Sequence, residues 1–168
     1  MGQTKTYTDD KLEFRQIVLE HIKRILEISS SELRNKTVVK THENYTETIV
    51  NEDTRKSYIQ AIENLAYILI PYFDDKVKSI YDKAIKVMDG LDYEVYDYCK
   101  EEYEEICKKL GKKELGHSFV IEMQLRYAKK LFIALNLLLN QNDYLKGAVY
   151  GEDNDELISD EDVAGGGE

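Results

Sequence analysis

The stretch "TRKSYIQAIENLAYILIPYFDDKVKSIYDKAIKVM", Thr54 to Met88, decides the fold. On a helical wheel Tyr58, Ile62, Leu65, Leu69, Phe73, Val77, Ile80, Ala84 and Val87 fall on one side. Gln60, Asn64, Asp75, Lys78, Asp82 and Lys86 fall on the other. The stripe keeps its phase through Pro71, which lands on the polar side. A chain break would reset that phase, whereas a proline kink would not. The pattern therefore predicts one bent helix of about 35 residues, about 50 Å long. The alternative is two helices meeting near Ile70.

A helix is expected from about Asp9 to Leu33, with Asp9 and Asp10 at its positive end. Phe14, Ile17, Val18, His21, Ile22, Ile25 and Ile28 recur at helical spacing, and Leu12, Leu19, Leu26 and Leu33 form a second row. So wide an apolar face suits two neighbours. In "MDGLDYE", Gly90 stops one helix and Asp92 caps the next, making antiparallel neighbours. A third helix follows from about Tyr93 to Leu110, then the turn "GKKELGHS" and a fourth helix from about Phe119 to Asn140. The predicted fold class is all-α: an antiparallel bundle of about four long helices, one kinked at Pro71.

Lys36–Val50, "KTVVKTHENYTETIV", is the one β-like insert. "HEN" suits a turn between two arms, giving a hairpin or a long loop. Neither arm alternates cleanly, and an isolated hairpin is marginal in water. The insert must lie on the body or on another chain, which makes Val38, Tyr45 and Ile49 candidate interface residues.

Helix four raises the same question. From Leu131 onward apolar residues surround it, and Ile133 and Leu137 project on the side of Arg126 and Lys130. A helix apolar all round is buried all round. Either Tyr144–Tyr150, the insert or another protein covers that side; a partner would leave an exposed patch of a few hundred Å².

Length and composition narrow the class. The 168 residues suit one helical domain, 1–150, and a tail, 151–168. Gly151–Glu168 holds eight acids and no base, so it is expected to be disordered, a state expected from Gly147 onward. The first 150 residues hold 23 bases and 25 acids and are near neutral. No basic patch for direct nucleic-acid binding is evident. "MGQTKT" weakly matches a myristoylation pattern, but no secretory signal or membrane-length apolar run is visible. With two cysteines too far apart along one helix to pair, the expected location is cytoplasmic or inside a viral particle.

Chemistry is sparsely signposted. Helix three carries Glu94-x-x-Asp97 and Glu101-Glu102-x-x-Glu105. These motifs resemble the carboxylates with which Mg²⁺-dependent all-α nucleotide pyrophosphohydrolases bind metal. In that family EExxE comes first and ExxD follows on another helix; here the order is reversed on one helix. The wheel sets Glu94, Asp97, Glu101, Glu104 and Glu105 opposite the apolar face. Glu104–Lys108 and Glu105–Lys109 form i,i+4 pairs, as on a solvated surface. Cys99 and Cys107 lie on the apolar stripe and read as small hydrophobes. His21, His42 and His117 sit in unrelated contexts, and no HExxH, CxxC, GxSxG or P-loop occurs. The thirteen tyrosines suit helix boundaries.

No catalytic, cofactor-binding or metal-binding residue is assigned. The expected function is a non-enzymatic interaction protein that assembles with itself or into a larger complex through Ile133, Leu137 and the insert. A composition rich in Ile, Lys, Asn and Tyr suggests a viral or plasmid-encoded subunit. The alternatives are an acidic decoy of a basic nucleic-acid-binding protein and a Mg²⁺-dependent hydrolase.

Overall fold

The computed structural model describes residues 7–28, 37–41, 46–50 and 52–151. The fold is all-α, and among the described residues two short strands between Glu27 and Glu52 pair with each other. Helix α1 is Tyr7–Glu27. Strands β1, Thr37–Thr41, and β2, Thr46–Val50, pair antiparallel. Helix α2 is Glu52–Leu69, a 3₁₀ turn covers Ile70–Tyr72, and α3 is Asp75–Met88. Then follow α4, Asp92–Tyr98; α5, Lys100–Leu110; α6, His117–Gln141; and α7, Asp143–Tyr150.

The described residues thus hold seven α-helices rather than about four long ones. The single helix kinked at Pro71 is the first correction. Phe73 leaves the helix with an extended backbone, and the Asp74 carboxylate accepts the Val77 N–H at 2.8 Å. That bond is a new N-cap and starts a new helix. Phase survives because α2 and α3 both pack on α6. Two segments facing one long partner must present apolar sides in the same direction, whether or not they are continuous.

The second correction is at Cys99, where α4 and α5 meet (φ −111°, ψ 32°). The Lys83 ammonium donates to the Tyr98 carbonyl. A side chain entering the helical ladder is a recognised cause of a kink. Leu91, rather than Asp92, is the N-cap of α4, and Glu94 accepts the Leu91 N–H at 3.0 Å. Gly90 is required by space: a Cβ there would lie 2.7 Å from the Lys86 carbonyl oxygen. Helix α7 is the third correction, since Gly147 to Tyr150 is helical and Leu145, Val149 and Tyr150 are buried. Its cap, Asn142, accepts from the Leu145 N–H at 3.0 Å.

Helix α6 is the axis of the molecule. It packs on α2, α3, α4, α7 and β2, and α1 closes the bundle against α2 and α7. Phe132, Leu131, Leu135, Leu139 and Met123 on α6 are almost wholly buried. They meet Ile25 and Val18 of α1, Ile62, Leu65 and Leu69 of α2, and Val87 of α3 in one core. The apolar surround of α6 thus has an internal explanation: a central helix is covered from several directions.

A buried amide ties α6 to its neighbours. Gln124 is 6% exposed. Its side-chain N–H groups face the carbonyls of Val87, Met88 and Gly90 at 3.3–3.4 Å, where α3 ends. Its carbonyl oxygen accepts from the Arg55 guanidinium on α2. The last carbonyls of a helix lack partners of their own, so Gln124 serves as a C-cap supplied from elsewhere in the chain.

Candidate functional site: an open apolar groove beside helix six

The coverage of α6 is incomplete on one side. Ile133 and Leu137 are half-buried, while Leu131, Phe132, Leu135, Leu138 and Leu139 around them are buried. Both line a cavity of about 680 Å³ between α3, the 3₁₀ turn and the second half of α6. Val77, Ile80, Ala134 and Leu138 complete its apolar wall. Tyr72, Asp74, Lys76, Lys130, Gln141 and Asn142 supply the polar groups around it.

The sequence places this groove for local reasons. The proline turn and the Asp74 cap set α3 off from α2, so Val77 and Ile80 start a new packed row. Ile133 and Leu137 are four apart on α6 and form the facing row. Aromatic contacts close one end: Tyr72 stacks on Tyr144 of α7 with centroids 5.6 Å apart, and Phe14 lies 6.4 Å from Tyr72. Tyr144 is 50% exposed, and Ile70 (40%) and Tyr67 (75%) extend exposed apolar surface along the end of α2. The Lys130 ammonium lies 4.9 Å from the Tyr127 ring centroid, which holds its positive charge beside the groove.

Of the five residues selected from sequence, Ile133 and Leu137 fall together here. Val38 and Ile49 are opposite each other in the β1–β2 register. Strand β2 lies against α6, so the insert is attached to the body. Tyr45 lies outside the described residues, as do Lys36 and the tail from Glu152 onward. Tyr72, Val77 and Ile80 carry no local signal that marks them as groove residues. Their spacing fits a core stripe equally well, and the groove arises only where the stripe is not fully covered.

The acids of the third predicted helix disperse. Asp97, Glu101, Glu104 and Glu105 are exposed, and Glu94 is used at the α4 cap. Glu102 accepts the Tyr127 hydroxyl at 3.2 Å. Among the described residues no group of three His, Cys, Asp or Glu side chains could hold a metal ion. His117 contacts Asp92 at 2.7 Å on the surface. Cys99 is fully buried, and burial together with Glu102 pushes its thiol up to about 11. Such a thiol is a poor nucleophile at neutral pH.

Two other polar features are structural. Tyr96 and Tyr103 pack with Phe119, their hydroxyls bonding the chain just before α6: Tyr96 donates to Leu115 and Gly116, and Tyr103 accepts the Leu115 N–H. Glu63 on α2 shares a hydrogen bond with Asp89, and burial followed by that neighbour pushes its carboxyl up to about 8. No described helix is long and apolar enough to cross a membrane. Comparison of the chain with protein-family models, curated proteins and solved structures gave no match.

Proposed function

We propose that this protein is a non-enzymatic helical interaction module that receives an apolar segment of a protein partner, or of a second copy, in the α3–α6 groove. The observation that carries this reading is the half-exposure of Ile133 and Leu137 in a cavity of about 680 Å³ while their helix neighbours are buried. Two packed helices with an apolar cleft and a polar rim form the geometry used to seat an amphipathic helix or extended peptide. Lys76 and Lys130 on the rim favour a partner segment bearing acids beside its apolar anchors. A viral or plasmid-encoded setting is compatible with that role and rests on composition alone.

Site-specific photo-crosslinking tests the proposal. A photoreactive phenylalanine analogue replaces Leu137 in the full chain, and the same analogue at exposed Glu104 serves as control. A discrete adduct from position 137 that is absent from position 104 supports the groove. Equal yields at both positions, or none at either, would remove it.

A further inference from the structure

We infer that the chain's own C-terminal segment is an occupant of the groove, with Leu157 and Ile158 as the apolar insert and its acids facing Lys76 and Lys130. This rests on the reading of the groove as a docking site and names one thing that docks there. Charge supplies the first argument. The segment from Gly151 to Glu168 carries eight acids and no base, and its only adjacent pair of large aliphatics, Leu157–Ile158, lies between Glu156 and Asp160. The groove offers the complement: an apolar wall with two lysines on its rim. Its one acid, Asp74, is engaged by the Val77 N–H.

Reach supplies the second. Asn142 lines the groove and caps α7, and α7 ends at Tyr150. That helix carries the chain only about 12 Å from the groove's edge. The six residues from Glu152 to Leu157 can span up to about 20 Å. The aliphatic pair therefore returns to the groove without unwinding α7.

Affinity sets the consequence. Two aliphatic side chains and a few solvent-screened charges bind weakly between separate molecules. Tethering raises the local concentration to about millimolar, enough for partial occupancy. The segment then acts as a built-in competitor that a better-fitting partner displaces, and its loss would tighten partner binding by about two-fold.

The test is paramagnetic relaxation in the full chain. A nitroxide is attached at Ser159→Cys in a Cys107→Ser background, and methyl resonances are observed. Selective attenuation of Ile133, Leu137, Ile80 and Val77 is expected, and it should weaken in Leu157→Asp/Ile158→Asp and in Lys76→Glu/Lys130→Glu. No attenuation at these methyls, or equal attenuation over the whole surface, would overturn the inference. A mixture of spin-labelled chains and separately methyl-labelled chains separates the two readings. Attenuation that persists in the mixture at the strength seen in the doubly labelled chain would refute tethered occupancy and leave the groove as a site between copies.

Discussion

Replacing Gln124 with leucine removes one amide from the interior and leaves its volume nearly unchanged. The magnitude follows from its partners. A primary amide has two N–H donors, so the three carbonyls at 3.3–3.4 Å share two hydrogen bonds. Val87 O also accepts from the Gly90 N–H at 3.4 Å and keeps a partner; the Met88 and Gly90 carbonyls lose the Gln124 contact. Those two bonds contribute about 1 kcal/mol each, and the charge-assisted bond from Arg55 contributes about 1.5 kcal/mol. Leucine returns about 1 kcal/mol of apolar transfer, leaving a net loss of about 2.5 kcal/mol. For a domain of this size that is a fall in Tm of about 7 °C. Urea unfolding followed by circular dichroism at 222 nm, with scanning calorimetry, measures both. A loss below about 0.5 kcal/mol, the range of ordinary surface substitutions, would refute the assignment of Gln124 as the cap of α3.

The other expectations are independent of that one. Glu63 has a folded pKa raised from 4.5 to about 8, so the native state holds the extra proton between those values and stability falls as pH rises through that window. Because Glu63 is partly solvated, the effect is about 1–2 kcal/mol, and Glu63→Gln should flatten the stability–pH curve by that amount; an unchanged slope refutes it. Native Cys99 should resist Ellman's reagent until the chain unfolds, while Cys107, only half-buried, reacts first; two equally fast thiols would contradict the burial of Cys99. Tyr72→Ala removes the stack on Tyr144 and the contact with Phe14 and should cost about 1–2 kcal/mol in urea unfolding, with no loss expected if those rings do not pack.

The fold class was legible because periodicity reports burial. The core rows of α1 and α6 match the stripes marked by Val18, Ile22 and Ile25 and by Leu131, Leu135 and Leu139. Pro71 was misread because a shared partner, α6, preserves phase across a break as well as helical continuity does. The Cys99 kink had no local signal, since it depends on Lys83, sixteen positions earlier, reaching the Tyr98 carbonyl. Helix α7 was missed because Gly147 looked like a terminus, whereas Leu145 and Val149 pack the segment down regardless. Half of the groove was visible in the excess apolarity at Ile133 and Leu137. The other half, Tyr72, Val77 and Ile80, was not, because periodicity marks an apolar face without telling how much of it the chain covers.

The most direct test of the groove is light scattering on the wild-type chain and on Ile133→Asp/Leu137→Asp, with the far-ultraviolet spectrum recorded on the same samples. The expected result is a complex, with a second copy or a copurifying chain, that the double variant loses while its helicity stays unchanged. A wild-type chain that is strictly monomeric and copurifies with nothing would contradict it. So would a double variant that unfolds, since both side chains would then belong to the core.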